Sequence, residues 1–450
     1  MASAAAVDQH GNPVIADAAA VALYDRAVDR LLRFDPEVLA CASTLAERHA
    51  DVAMSHALVA YLYLSSTQRP DASVARASWQ AMAATPMGER ERAHHDAVGA
   101  WASGSWGGAA EVLDDLLVRW PADLLALMLG HQLDFFRGDA ANLRDRPGRS
   151  LSALDPAHPH TALVRGMLAF GLEESGHYEA AEEAGQAALA VNRDDIWALH
   201  AVTHTYEMRG LVDTGIEFLT SREADWGSGN LFAVHNWWHL ALFRLEVGDL
   251  AAVLAVYDRQ IHNAGSEGVA LEMLDGSALL WRLYLDGLDT GGRFGPLAEA
   301  WASASASAEP WYAFNDLHAV LAFVGAGRSA DAERVVEALA RYVAEGSAAG
   351  GVDAGTNLAM TAEIGLPACR AVVAFGQERW DDVVAELTPI RRRLHRFGGS
   401  HAQRDVLQRT LLEAALRSGQ TSLARALVSE RLALRPTSTY ARAQQSRLTP

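Results

Sequence analysis

Four histidines and a glutamate carry the strongest chemical signal in the sequence. His200, His204 and Glu207 stand at i, i+4 and i+7, and His235 and His239 stand again at i, i+4. On an α-helix such residues share one face. Both histidine pairs are offset by the same 35 residues, so two helices one structural repeat apart would carry them side by side. Imidazoles and carboxylates brought together can move protons near neutral pH. They can also bind a divalent metal such as zinc, here through His200, His204, His235 and His239. No HExxH supports the metal reading, and HxxxH alone fits many helices. For a lone histidine, a structural ring bonded to its surroundings is the better reading. Two pairs in one register favour a functional pocket.

The elements that must position these residues are helices. Strand signals are scarce, and the chain repeats one cadence: an apolar helical stretch, a break containing glycine, an Ala-rich helical stretch, another break. The clearest unit runs from Glu174 through Gly176 and Tyr178 to Asn192, with small residues at Ala181 and Ala188 and Leu189 in the seam. It resembles the second half of a tetratricopeptide repeat, a unit of about 34 residues. Further breaks fall at Gly138, Gly210, Gly248, Gly327 and Gly419. The pattern predicts helix pairs beginning near residues 20, 56, 89, 121, 160, 195, 231, 268, 311, 357 and 400. Each pair buries its apolar face only by stacking on its neighbours.

In this frame Ile196 opens a unit, and His200, His204 and Glu207 fall at offsets that face the concave groove in the tetratricopeptide class. Trp197 lines the same surface, and Phe232 holds the equivalent place in the next unit. Glu173 occupies the offset of Glu207 one unit earlier. The expected fold is all-α: a tetratricopeptide-like α-solenoid, a right-handed superhelix of antiparallel helix pairs enclosing a polar cavity. Residues 1–15 are expected as a disordered tail, 16–440 as a single domain and 441–450 as a C-terminal tail. Residues 302–308 and 346–355 read as loops, the second a candidate lid. Asp275, set among apolar residues, should need a partner. His131 falls one offset off the groove face, and His94, His95 and the many arginines read as surface.

Two other polar clusters interrupt apolar helices. Asn315, Asp316 and His318 lie at a helix start. Ser400 is an N-cap followed by His401, Gln403, Arg404 and Asp405, where a helix N-terminus would suit an anionic group. The segments Trp197–Gly210, His235–Leu242, Phe314–Ala319 and Gly399–Val406 together resemble the family named for tetratricopeptide repeat protein 38, over roughly residues 90 to 435. The resemblance implies a tetratricopeptide-like solenoid and brings no established reaction. Its distinctive residues correspond to His200, His204, Glu207, His235, Asn236, His239, Asn315, Asp316, His318, His401, Gln403, Arg404 and Asp405. A closed superhelix would bring these around one cavity.

Composition narrows the remaining choices. The balance is acidic, with 56 carboxylates against 38 Lys plus Arg and a net charge of −18, and no basic tract suits nucleic acid. Two cysteines cannot build a disulfide framework or a thiolate zinc site. No P-loop, GxGxxG or GxSxG appears, so no nucleotide cofactor is expected. No basic leader or membrane span is read, and a cytoplasmic location is the default. The leading expectation is an enzyme that hydrolyses or eliminates a small polar substrate. His200, His204, Glu207, His235 and His239 would do the acid/base or metal-assisted work. Glu173, Trp197, Asn236, Asn315, Asp316, His318, His401, Gln403, Arg404 and Asp405 would hold the substrate. The alternatives are a scaffold for a peptide or partner protein and a non-catalytic binder of a small molecule or metal. Expected partners are a small polar molecule in the concave pocket and a second copy in a homodimer, with neither nucleic acid nor membrane.

Overall fold

The structure, a computed structural model, describes residues 5–304, 309–348 and 355–448. It is an all-α array of antiparallel helix pairs in two compact units. The first unit is Met1–Val202 with Ala224–Ala233. Its pairs are α1 (Ala18–Leu32) with α2 (Val38–Arg48), α3 (Ala53–Ser65) with α4 (Arg69–Ala83), α5 (Glu89–Ala102) with α6 (Trp106–Arg119), α7 (Leu124–Arg137) with α8 (Ala140–Leu151), and α9 (Pro159–Glu174) with α10 (Tyr178–Val191). Helix α11 (Ile196–Arg209) begins in this unit and ends in the second.

The second unit, Thr203–Glu223 with Val234–Pro450, takes the chain onward. After α11 come α12 (Val212–Ser221), the one-turn α13 (Glu223–Trp226), most of which belongs to the first unit, α14 (Ala233–Glu246) and α15 (Leu250–Val256). Next are α16 (Ala270–Leu285) with α17 (Phe294–Ala304) and α18 (Ala313–Gly325) with α19 (Ser329–Ala348). Helices α20 (Thr356–Met360) and α21 (Leu366–Gly376) are joined into one continuous helix, followed by α22 (Trp380–Leu387). The array finishes with α23 (His401–Arg417), α24 (Thr421–Leu434) and α25 (Thr439–Ser446). The predicted pair starts all fall within a few residues of observed helix starts.

Local chemistry explains the punctuation. Asp17, Asp123, Asp139, Asp249 and Ser438 accept from backbone N–H groups at their helix starts, filling donors that the first turn leaves open. All six glycines read as breaks adopt positive φ, from 66° at Gly138 to 80° at Gly176. At Gly176 the left-handed residue lets its own N–H reach Glu173 and the next N–H reach Leu172, each at 2.8 Å, which closes the helix end. Ala181 and Ala188 are fully buried where α10 meets α9.

Several expectations need correction. Residues 5–15 are not a disordered tail: β1 (Ala5–Val7) and β2 (Pro13–Ile15) pair antiparallel. Asp8, at the turn, accepts from the backbone of His10 and Asn12 and pairs with Arg90 at 3.3 Å. The C-terminal tail is helical from Thr439 to Ser446. Of the two expected loops, residues 302–304 and 346–348 complete α17 and α19. Residues 305–308 and 349–354, with most of the candidate lid, lie outside the described residues. The helix Thr356–Gly376 is long and apolar enough to cross a membrane, and 67% of its apolar window is buried within the protein.

The arginines are also not all surface. Arg90, Arg146 and Arg282 are fully buried, as is His94. Arg90 Nε meets Asp123 Oδ2 at 2.6 Å, and His94 Nε2 meets the same oxygen at 3.0 Å. Arg90 also donates to the Tyr24 hydroxyl and to the Pro13 carbonyl. Asp123 thus caps α7, neutralises Arg90 and anchors His94, and these attractions hold its carboxyl far below the usual range against the cost of burial. Removing one partner of a buried ion pair leaves an uncompensated charge, a loss of about 3–5 kcal/mol. Asp123→Ala is expected to destabilise the first unit by that amount in urea unfolding, whereas exchange of an exposed partner such as Glu89→Ala should cost less than about 1 kcal/mol.

Candidate functional site

Helix α11 is apolar enough to be buried all round, yet it carries polar residues on one face. His204 and Glu207 from its last turns face His235 and His239 of α14 within the second unit. The His204 and His239 rings lie 4.4 Å apart centre to centre, and His235 and His239 lie 4.8 Å apart. One nitrogen from each of His204, His235 and His239 lies within 4.8 Å of those of the others. The two carboxylates complete the arrangement. His239 Nδ1 is 2.8 Å from Glu207 Oε2, and His235 Nδ1 is 2.8 Å from Asp275 Oδ2. Asp275 of α16, expected to need a partner, finds it in His235. Each Nδ1–H donates to a carboxylate, which fixes the tautomer and sets Nε2 as the nitrogen with the lone pair.

Burial sets the charge states. His239 is driven well below its ordinary pKa, first by loss of water and then by His204, His235 and Arg282. Glu207 is pushed upward by burial, opposed by Arg435 and His204. His239 is therefore a neutral imidazole at neutral pH, the form that binds metals. Trp238 stacks on His235 with ring centres 5.2 Å apart, and the Arg282 guanidinium lies over Trp238 at 5.4 Å.

Glu207 also opens onto a narrow cavity of about 50 Å³ in the same unit. Its lining includes Arg282, Asp405, Arg409, Arg431 and Arg435. Asp405 holds Arg431 through two contacts of 2.6 and 3.1 Å, and Arg409 pairs with Asp286 at 2.8 Å. Arg282 donates to the carbonyls of Ala278 and Ala402. Burial lowers its pKa to about 10, opposed by Asp405 and Glu207. The last helices of this unit return to its first. Arg435 reaches Met208, Thr437 reaches Gly210, and Ser438 bonds Glu246 at 2.8 Å. The second unit is thus a closed stack, and that closure builds the cavity.

The other candidates divide. His200 and Trp197 belong to the first unit, where His200 packs against Phe170 at 5.0 Å and Phe232 at 4.8 Å. Trp197 donates to His131 at 3.1 Å and stacks on Phe34, so His131, set aside in the sequence reading, belongs to this aromatic cluster. Glu173 is fully buried on α9. Asn236 is fully buried on α14, and neither atom of its amide has a hydrogen-bond partner among the described residues. Gln403 is a helix cap: it and Ser400 bond reciprocally at the start of α23. Arg404 reaches back to the Gly399 carbonyl, and His401 is exposed. His318 Nδ1 donates to the Phe314 carbonyl at 2.7 Å, a structural role. Asn315, Asp316, His318, His401, Gln403 and Arg404 do not line the cavity; Asp405 does. Arg282, Arg409 and Arg431 were missed. Only Arg282 carried a sequence signal, as an arginine inside the apolar run of α16.

No family model matches the chain. Among solved structures, a crystal structure of the P58(IPK) TPR domain is similar at 11% sequence identity, over 90% of this chain and 99% of that one, with a TM-score of 0.20. The assignment of this chain as a tetratricopeptide-like helical repeat protein stands on its own helix pairs and turn glycines.

Burial raises the Asp316 carboxyl from 3.8 to about 7. The folded chain therefore binds an extra proton between those values, and this stabilisation, full below pH 3.8, is lost as pH rises through 7. Asp316→Asn lacks that dependence. In thermal melts the variant is expected to gain on the unmodified protein between pH 5 and pH 8; a constant difference would place the carboxyl in water.

Proposed function

We propose that this protein is a tetratricopeptide-like scaffold that binds a divalent transition metal ion, without catalysis, in a buried centre made by His204, His235 and His239. The observation that carries the reading is the pair of carboxylate–imidazole bonds, Asp275 to His235 and Glu207 to His239, each at 2.8 Å. Such outer carboxylates orient ligating rings and raise their basicity. Three nitrogen ligands suit zinc, with a fourth position for water or a small ligand. The cavity beside Glu207, rich in arginine, supports a small polar, anionic molecule as that ligand. The polar segments around His200, His235, Asn315 and His401 further support membership of the family named for tetratricopeptide repeat protein 38.

One observation favours a second reading, an acid/base enzyme. Glu207 accepts from His239 and also lines the cavity, so the pair meets the space a substrate would enter. Hydrolysis of small esters that survives chelation and disappears in Glu207→Gln would favour this reading over the first.

The metal reading is tested on tag-free protein loaded with Zn²⁺ and dialysed. His204→Ala and His239→Ala are each expected to retain one equivalent fewer than the unmodified protein, and Asp275→Asn to weaken that equivalent by about 10–100-fold. Unchanged zinc content in folded His204→Ala and His239→Ala would exclude the centre.

A further inference from the structure

A second group of imidazoles lies in the first unit and shares no residue with the centre made by His204, His235 and His239. His10 sits in the turn of the N-terminal β-hairpin. His158 is the N-cap of α9, and His160 lies in its first turn. Although 150 residues separate His10 from His160, His10 Nε2 is 3.0 Å from His160 Nδ1. The three ring centres lie 4.5, 5.2 and 4.8 Å apart, and one nitrogen from each ring falls within 4.8 Å of the others. A third element supplies the outer carboxylate: His160 Nε2 bonds Asp29 Oδ1 of α1 at 2.9 Å. Asp29 is itself held by Arg33 at 2.9 Å.

We infer that His10, His158 and His160 form a zinc site that clamps the N-terminal hairpin to the start of α9, with Asp29 as its outer carboxylate. The bonding pattern supports each role. Because His160 Nε2–H donates to Asp29, its lone pair is on Nδ1, the nitrogen that faces His10. An ion at this point replaces the His10–His160 hydrogen bond, and His10 moves its proton to Nδ1 with no change in charge. The bland role of His158 is capping: its Nδ1 accepts from the backbone N–H of His160 at 3.2 Å. The hairpin is otherwise held at its turn by Asp8, which pairs with Arg90, and by Asn12, which donates to the Ala122 carbonyl. A metal clamp at His10 would add a tie beside these contacts.

The test uses the full chain without a tag, carrying His204→Ala so that the centre in the second unit is disabled. Titration with ZnCl₂ by calorimetry is expected to show one equivalent at this site. His10→Ala should abolish it. His158→Asn should abolish it while keeping helix capping, because asparagine is itself a strong N-cap. Asp29→Asn should weaken it by about 10–100-fold. Substitution with Co²⁺ should give the intense visible absorption of a tetrahedral nitrogen site in the parent and none in His10→Ala. Zinc binding that is absent from the parent, or that is unaltered in both His10→Ala and His158→Asn, overturns the proposal. The two metal readings fail separately, since one is lost with His204 and the other with His10.

Discussion

A charge removed from water needs a partner, and in this protein the partner comes from a neighbouring helix. Arg90 of α5 finds Asp123 at the start of α7; Arg146 of α8 finds Asp134 of α7 at 2.7 Å; His235 of α14 finds Asp275 of α16. Repeated apolar faces alone would allow one helix pair to slide against the next at little cost. A buried charge tolerates no such slip, because moving its partner away costs several kcal/mol. The polar contacts therefore fix which residues meet across the stack, while the apolar contacts supply most of the driving force.

The same constraint makes chemistry available. Where a buried carboxylate meets a buried imidazole, loss of water lowers the affinity of the ring for a proton and raises that of the carboxyl, as at His239 and Glu207. A neutral ring with its proton held on one nitrogen offers a directed lone pair on the other. In the second unit two adjacent rings each bond a carboxylate, beside a cavity with buried guanidinium groups. Arg282 is the least compensated of these, held by backbone carbonyls and the face of Trp238. Under the proposed function, such a site would hold an ion beside an anion.

The repeat architecture was legible from the chain because its signals are local. A glycine at positive φ, a capping aspartate and a run of alanines each act within one or two turns, and the six break glycines all adopt positive φ. The convergence of His204 with His235 and His239 was also legible, since a shared offset on successive first helices follows from the repeat period. The N-terminal hairpin was not. Its two three-residue strands give little periodicity, and its turn is held by Asp8 pairing with a residue 82 positions away. His94 and the buried arginines were misread for a similar reason: composition marks them as surface, and only the neighbours that compensate them reveal otherwise.

What the sequence by itself determined is therefore the helical repeat, its turns, and the alignment of histidines on consecutive helices, all products of short-range geometry with a fixed period. The tertiary structure alone decided which carboxylate His235 and His239 each meet, and that Asp405 shares a cavity with Glu207. The carboxylate pairings join residues from different helices, and their reason is the energetic penalty of leaving a buried charge without a partner, which no local pattern encodes.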